Sequence, residues 1–232
     1  MSKFKISPIT STTNKNEDEN LILNPPFCAG IFAPPACGKS TLISNIVFKN
    51  EFFPPNGALE YFDGGIVVIS PSIFLDESSR FLLKYCKCYD EYNDDILKNI
   101  MDNQKETPKE DRKKILIIID DCLNMAKRNS ILNTLPSRYR HYSLNIIFSC
   151  QKWTGIDSKV RAQFSHLFIM SPYPNIKELN SIFDVYGDIF GGEEEMKKKY
   201  YEATNGTRYK FLYAKLAKNP PELYENFDKQ IY

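Results

Sequence analysis

Residues 28–41 have the sequence CAGIFAPPACGKST, and this stretch decides the fold. The first five residues carry no charged side chain and predict a short buried strand over Cys28–Phe32. Two prolines then predict a loop, and apolar residues at helical spacing from Leu42 onward predict a helix. A strand, a loop and a helix in this order, with Gly-Lys-Ser-Thr at the start of the helix, are typical of a phosphate-binding loop.

Each part of this loop suits a nucleoside triphosphate. Gly38 lets backbone N–H groups approach the phosphates, and these groups form an anion site together with the helix N-terminus. Lys39 supplies a positive charge to the β and γ phosphates, and the Ser40 hydroxyl is a ligand for Mg²⁺. The alternative interpretation is an ordinary turn with an exposed lysine. The residues assigned to nucleotide binding are Ala33, Pro34, Pro35, Ala36, Cys37, Gly38, Lys39, Ser40 and Thr41.

The loop departs from the usual motif at its start, where Ala33 stands in place of glycine. Alanine has less backbone freedom than glycine, so we expect the entry to the loop to avoid positive φ. Pro34 and Pro35 have no N–H group to donate. We therefore expect the phosphates to be bound mainly by the amides of residues 36–40.

A second motif lies at residues 115–121, ILIIIDD, where an apolar strand ends in two carboxylates. The strands of a parallel sheet collect ligands at their carboxyl ends, so these acids are expected to face the phosphate loop. Asp120 is assigned to Mg²⁺, which it would hold through water. Asp121 is assigned as the base that orients and deprotonates the attacking water. The alternative for the pair is a helix N-cap.

A further polar residue, Gln151, follows an apolar strand predicted over residues 145–148. If this strand lies between the other two, the Gln151 amide can contact both the γ-phosphate and the attacking water. It would then act as a sensor of hydrolysis. The alternative is a glutamine in a surface turn.

The rest of the chain predicts an α/β fold, with a mainly parallel central sheet and helices on both faces. Further strands are predicted at residues 66–69, 86–89 and 167–170, with residues 209–215 as an edge strand or hairpin arm. Helices are predicted near residues 81–85, 94–101, 131–138, 158–163, 176–186 and 193–203, and a surface loop at residues 103–114. We expect a flexible arm over residues 1–20, a nucleotide-binding core over 21–175, and C-terminal helices and edge strands over 176–232 packed on the core.

Composition and charge limit the function classes. Thirty basic and twenty-nine acidic side chains give a formal net charge of +1, so the chain has no global basic field for nucleic acid. Any DNA contact must be local, and the candidate clusters are residues 109–114, residues 138–141 and residues 197–199. For each of them a solvated face is favoured over a DNA-binding patch. The apolar runs are too short to span a bilayer, and the N-terminus lacks the apolar core of a secretory signal. We expect a reducing compartment in which the six cysteines remain free thiols.

The stretch RHYSLNIIFSCQ, residues 140–151, adds a third motif. With the two earlier motifs, it makes the chain resemble the genome-packaging ATPases of the FtsK/HerA superfamily, in the form found in poxviruses, other large nucleocytoplasmic DNA viruses and virophages. In that family an Arg-His pair precedes the sensor strand, the strand ends in Gln, and an Arg follows a short helix. Arg140-His141, Gln151 and Arg161 stand at those places, while Gln163 stands where family members often carry Asn.

The resemblance implies a RecA-like P-loop ATPase with ATP and Mg²⁺ as cofactors. It implies a homo-oligomeric ring of about five or six subunits, translocation of double-stranded DNA into a preformed capsid, and capsid or portal-vertex proteins as partners. The location implied is the host cytoplasm or viral factory, or association with the virion. Arg140 and Arg161 become candidates for an arginine that reaches the neighbouring subunit's site, the alternative being surface arginines in solvated ion pairs.

The residues alone lead only to Mg-dependent hydrolysis of a nucleoside triphosphate, because a P-loop does not specify what hydrolysis drives. A different P-loop enzyme, such as a helicase-type ATPase, a helicase loader or a nucleotide kinase, stays open. No arginine-rich lid of the kind found in kinases is evident, although Arg128, Arg138 and Arg140 keep that alternative open. A third hypothesis is a scaffold that binds ATP without turnover, and the intact Lys39, Asp120 and Asp121 argue against it.

Overall fold

The computed structural model describes residues 21–122 and 130–232, and the predicted arm, residues 1–20, lies outside them. Nine strands form one sheet. They are β1 (Cys28–Phe32), β2 (Ile66–Ile69), β3 (Lys87–Tyr89), β4 (Ile115–Asp120), β5 (Leu144–Cys150), β6 (His166–Met170), β7 (Phe211–Lys215), β8 (Glu222–Glu225) and β9 (Lys229–Gln230). Their order across the sheet is β3-β2-β4-β5-β1-β6-β7-β8-β9.

The first six strands of this order are parallel, and β7, β8 and β9 extend the sheet in antiparallel pairs. β5 lies between β4 and β1. The phosphate loop follows β1, Asp120 ends β4 with Asp121 directly after it, and Gln151 follows β5. Three motifs therefore meet at the carboxyl edge of adjacent parallel strands. The position of β5 between β4 and β1 is the arrangement that the sequence analysis required for Gln151 to reach the site.

Helices cover both faces of the sheet. They are α1 (Lys39–Phe48), α2 (Ala58–Tyr61), α3 (Arg80–Tyr85), α4 (Asp94–Glu106), α5 (Ile131–Thr134), α6 (Ser158–Arg161), α7 (Ile176–Tyr186) and α8 (Glu193–Thr204). Alternate residues of each strand divide between two buried cores, since side chains along a strand point to opposite faces. One core includes residues of α4, α7 and α8, and the other includes residues of α1, α2 and α3. The predicted fold class is therefore confirmed.

One prediction about an individual element is wrong. The surface loop expected from residue 103 begins later, because α4 continues to Glu106. Gln104 accounts for the extension: it is buried, and its side-chain amide donates to the carbonyls of Lys113 (2.7 Å) and Tyr142 (2.9 Å). Of the two alternatives predicted for residues 209–215, the hairpin arm is confirmed, because β8 pairs with the outer side of β7. The division of the chain at residues 175 and 176 stays a prediction.

A buried histidine lies where β6 meets β7. His166 packs against the rings of Phe27 and Tyr213, and its Nδ1 lies 3.0 Å from the Tyr213 hydroxyl. Burial, with a smaller contribution from the charge of Lys215, lowers the pKa of His166 from 6.5 to about 3. The side chain is therefore neutral in the folded protein at neutral and mildly acidic pH.

This neutrality predicts acid sensitivity. Below pH 6.5 the unfolded chain binds a proton at residue 166 that the folded protein does not, so stability is fully present above pH 6.5 and is lost as the pH falls. We expect His166 to reduce the free energy of unfolding by about 2 kcal/mol between pH 7 and pH 5. Urea unfolding of wild-type and His166→Phe protein across this range measures the difference. Equal pH slopes for the two proteins would contradict a neutral buried His166.

Candidate functional site

The phosphate loop continues β1 and turns sharply into α1. Ala33 is buried and its amide donates to the carbonyl of Cys150 at 3.1 Å, which ties the loop entry to β5. Positive φ occurs later in the loop, at Ala36 (58°) and Gly38 (92°). The entry thus avoids positive φ, as Ala33 led us to expect. Gly38 is the N-cap of α1, so the N-terminus of this helix opens directly onto the loop.

A polar cavity of about 460 Å³ lies above the loop at the carboxyl edge of the sheet. It brings together Lys39, Ser40, Asp120, Asp121 and Gln151, which come from three separate parts of the chain. We call it the phosphate pocket. Its other lining residues are Pro34, Pro35, Ala36, Gly38, Thr41, Ser72, Asp76 and Tyr209, while Ala33 and Cys37 are buried beside it.

Lys39 is the positive centre of the pocket. Its ammonium lies 2.9 Å from Asp120 Oδ1 and in hydrogen-bonding contact with Asp121 Oδ2. Burial lowers the pKa of Lys39, but the two carboxylates raise it by more, so the pKa lies above its ordinary value. Lys39 is therefore charged at all physiological pH values, and without a ligand the carboxylates balance its charge.

Asp120 is fixed from two sides. The hydroxyl of Ser70, the residue that follows β2, donates to Asp120 Oδ2 at 3.0 Å. The other oxygen, Oδ1, is buried and lies 2.9 Å from the Lys39 ammonium, which leaves acceptor capacity for a further partner. A buried carboxylate oxygen with unused acceptor capacity is suited to a hard cation or to a water bound to one. Ser70 was missed in the sequence, although a polar residue at a strand end is the signal that identified Gln151.

Asp121 has an unusual backbone conformation. Its φ is 51°, in the left-handed region that aspartate adopts more readily than most residues, and its amide donates to the carbonyl of Ser149 at 2.8 Å. This conformation lets two consecutive aspartates both reach the pocket, although consecutive residues in a regular strand point to opposite faces. Gln151 Nε2 donates to Asp121 Oδ2 at 3.2 Å. The Tyr173 hydroxyl donates to the backbone carbonyl of Gln151 at 2.9 Å.

The two predicted catalytic arginines lie away from this pocket. Arg140 lies just before β5, at the amino edge of the parallel strands, whereas Arg161 ends α6 in the connection between β5 and β6, and neither lines the pocket. The length of β5, about 20 Å, separates that edge from the phosphate loop. The exposed Arg140 donates from Nε to the Tyr139 hydroxyl at 3.1 Å. The guanidinium of Arg161 lies 4.8 Å from the centre of the Trp153 ring, and its buried Nε has no hydrogen-bond partner.

The candidate DNA-binding clusters differ in their surroundings. Lys197, Lys198 and Lys199 each form an ion pair with a glutamate of α8, which favours a solvated face. Residues 109–114 and 138–141 meet at the amino edge of the sheet, where Arg112 donates to the carbonyl of His141. Among the helices of residues 21–122 and 130–232, none is both long and apolar enough to cross a bilayer.

Comparison with protein families gives one match. The model of the family described as poxvirus A32 protein matches residues 66–188, more than half of the chain. The matched range includes both aspartates, Gln151 and both arginines. The phosphate loop precedes this range. Comparison with curated proteins found no match.

Solved structures give further similarities. The genome packaging NTPase B204 from Sulfolobus turreted icosahedral virus 2, in complex with sulfate, is 17% identical and covers 89% of this chain and 97% of its own, with a TM-score of 0.59. The same protein in complex with ATP-γS is 16% identical and covers 87% and 98%, with a TM-score of 0.55. The pCW3 conjugation coupling protein TcpA, with ATPγS, is 11% identical and covers 87% and 61%, with a TM-score of 0.55. At these identities the likeness concerns the fold.

Proposed function

Since the chain belongs to the poxvirus A32 protein family, we propose that it is a Mg-dependent ATPase whose hydrolysis of ATP drives double-stranded viral DNA into a capsid. The observation that carries the proposal is the contact of one ammonium, that of Lys39, with both carboxylates at residues 120 and 121 inside the phosphate pocket. A positive charge at a helix N-terminus, next to two acids, is the arrangement that phosphoryl transfer requires. The structures of a genome packaging NTPase with a similar fold support the physiological task.

We infer that Lys39 changes partners when ATP binds. The Lys39 ammonium, which contacts the two carboxylates in the free protein, would instead contact the β and γ phosphates. The amides of the loop and of the first turn of α1 would bind the phosphate oxygens. The pKa of Lys39 lies above its ordinary value, so no pH change in the physiological range would remove this charge.

The residues present fit a magnesium ion. The buried Oδ1 of Asp120 has unused acceptor capacity, and the Ser40 hydroxyl lines the same pocket. Oxygen ligands of this kind suit Mg²⁺, which keeps several waters and is held by a few protein groups. When bound, Mg²⁺ supplies neutralising charge to the phosphate oxygens. Asp120 and Ser40 would hold it, and the Ser70 hydroxyl would keep Asp120 in the orientation that this requires.

Asp121 and Gln151 would handle the attacking water. Asp121 is the base in this proposal: its carboxylate accepts the proton once Lys39 has moved to the phosphates. The Gln151 amide, 3.2 Å from the Asp121 carboxylate, has a second N–H group and a carbonyl oxygen with which to orient the water and to detect the γ-phosphate.

Neither Arg140 nor Arg161 lines the phosphate pocket of its own chain. Their position outside this pocket supports a role in trans. In the homo-oligomeric ring we propose, one of these arginines reaches the γ-phosphate bound to the neighbouring subunit. Capsid or portal-vertex proteins would anchor the ring, in the host cytoplasm or viral factory or on the virion.

The effect of DNA on hydrolysis tests the proposal. We expect linear double-stranded DNA to increase the steady-state rate of ATP hydrolysis several-fold, because a translocating motor couples turnover to its track. The measurement is phosphate release with and without DNA at fixed salt, since contacts with the DNA backbone depend on salt concentration. Phosphoryl transfer to a nucleoside monophosphate, with no effect of DNA, would instead identify a kinase.

Two variants control for contaminating activity and distinguish the roles of Asp120 and Asp121. Asp121→Asn should bind ATP with Mg²⁺ yet lose roughly 10²-fold or more in turnover, with and without DNA, because an amide cannot accept the proton. Asp120→Asn should instead require a higher Mg²⁺ concentration. ATP binding without turnover in wild-type protein would indicate a nucleotide-regulated scaffold, and equal behaviour of the two variants would show that these roles are wrong.

A further inference from the structure

A second cavity adjoins the phosphate pocket on the side of α1 and the C-terminal strands. It has a volume of about 680 Å³ and shares Gly38, Thr41 and Tyr209 with the phosphate pocket. We propose that this cavity binds the base and ribose of the nucleotide and that Tyr209 is the residue that positions the base. The proposal rests on the proposed function, which places the triphosphate on residues 33–41.

The position of the cavity follows from the direction of the bound triphosphate. Lys39 and the two aspartates mark the end of the pocket where the γ-phosphate would lie, so the α-phosphate would lie toward Gly38 and Thr41. Both of these residues also line the second cavity. A nucleotide bound through its phosphates would therefore extend its ribose and base into this cavity without further rearrangement.

The walls of the cavity differ from those of the phosphate pocket. Leu42, Phe52, Met170, Phe211 and Phe227 provide apolar surface, and the rings of Phe211 and Phe227 lie 5.0 Å apart in an edge contact. The polar groups that line it are Asn45, Lys49, Glu51 and Asp228. Mostly apolar walls with a few polar groups are the usual composition of a site for a flat heterocycle such as a nucleobase.

Tyr209 lies at the boundary between the two cavities. A Cβ atom placed on Gly38 would lie 2.8 Å from Cδ1 of Tyr209, so its ring packs directly against the phosphate loop. The residue is nevertheless 65% exposed, and it lines both cavities. Glycine at residue 38 is thus required twice, by its φ of 92° and by this close approach.

The backbone of Tyr209 is strained. Its φ of 68° lies in the left-handed region, which bulky residues rarely adopt. The following residues hold it there: the Lys210 carbonyl accepts from the Ser171 amide at 2.9 Å, the Lys210 ammonium pairs with Glu225 at 2.8 Å, and the Phe211 amide donates to Asn226. An exposed aromatic ring that the fold holds in an unfavourable conformation points to a ligand.

Comparing ATP with inorganic tripolyphosphate, which lacks the nucleoside, tests the proposal. The variants are Tyr209→Asn, which removes the ring but tolerates positive φ, and Tyr209→Phe, which keeps the ring. Tyr201→Ala, at an exposed tyrosine on α8, is the matched control. We expect Tyr209→Asn to weaken ATP binding roughly tenfold, the loss of one contact between a base and an aromatic ring, and to leave tripolyphosphate binding unchanged. Tyr209→Phe and Tyr201→Ala should bind both ligands like wild-type protein in calorimetric titrations.

Several outcomes would overturn the proposal, and they differ from a failure of the proposed function. Unchanged ATP affinity in Tyr209→Asn, or an equal loss for ATP and tripolyphosphate, would show that the ring does not position the base. Equal affinity of wild-type protein for ATP and tripolyphosphate would exclude the cavity as a nucleoside site. If wild-type protein bound neither ligand, the phosphate pocket itself would be wrong, and the proposal would fall with it.

Discussion

Lys39→Ala protein is expected to hydrolyse no detectable ATP and to bind ATP far more weakly than wild-type protein. The substitution removes the positive charge that we assign to the β and γ phosphates. It also leaves Asp120 and Asp121 facing the phosphates without the ammonium that contacts both of them, so repulsion adds to the lost attraction. Phosphate release measures the turnover. Thermal unfolding with and without ATP measures the binding, since a ligand at 100 times its Kd stabilises a protein by about 2.7 kcal/mol.

A lysine elsewhere in the chain provides the matched control. Lys177 is exposed in the first turn of α7, outside the phosphate pocket, so Lys177→Ala should retain both turnover and the ATP-dependent rise in Tm. Circular dichroism of the Lys39→Ala protein checks that the fold persists after the charge is removed. Turnover near the wild-type rate in folded Lys39→Ala would disprove the assignment of residues 33–41 to the phosphates.

The second large effect concerns the two arginines. We expect one of them to act on the site of the neighbouring subunit. The variant that removes this arginine, Arg140→Ala or Arg161→Ala, should bind ATP normally and hydrolyse it roughly 10³- to 10⁵-fold more slowly. Arg140 is exposed and Arg161 is half-buried against Trp153, so their variants also differ in their expected effect on stability. Arg161→Ala should lower the Tm more than Arg140→Ala, because Arg161 is half-buried over the Trp153 ring whereas Arg140 contacts Tyr139 from an exposed position. Comparing the hydrolysis rates of both variants with ATP affinity and Tm separates catalysis from packing.

Mixing variants distinguishes action in trans from action within one chain. Lys39→Ala and the inactive arginine variant should each be inactive alone, and their mixture should regain part of the activity, because an intact site can then meet an intact arginine. Arg138→Ala, at an exposed arginine in the same region, is the control and should hydrolyse ATP normally. Full activity of both arginine variants would contradict the mechanism. Full activity of the wild-type chain at concentrations where it is a monomer would contradict it equally.

The sequence predicted the parallel strands because their runs of apolar and β-branched residues have few other stable conformations. Residues 28–32 and 66–69 form strands with the predicted bounds, and the family resemblance drawn from the motifs is confirmed by the family match. The order of strands was not predictable in the same way, because β5 reaches its place between β4 and β1 through pairing between distant residues. The meeting of Lys39 with both aspartates depends on that order.

Other features depend on contacts that no local pattern reveals. The extension of α4 rests on hydrogen bonds from Gln104 to two carbonyls, those of Lys113 and Tyr142, which the fold brings to it. Tyr209 appeared in the sequence only as the first residue of a possible strand. Its approach to Gly38 arises because β7 pairs with β6 at the edge of the parallel strands. Its left-handed backbone is imposed by its neighbours, since the intrinsic preference of tyrosine opposes it.

The separation of the pocket from Arg140, at opposite edges of one sheet, gives the molecule a polarity. Contacts around a two-fold axis join like surfaces, whereas bringing an arginine of one copy to the pocket of the next joins unlike surfaces directly. Repetition of such a head-to-tail contact defines a single direction around the assembly. Each copy then supplies an arginine to the pocket of one neighbour and receives an arginine from the other neighbour. Under this scheme a single copy that lacks its arginine would inactivate the site of a different polypeptide. The loss of ATPase activity in a mixed assembly would then report the proportion of variant copies in it.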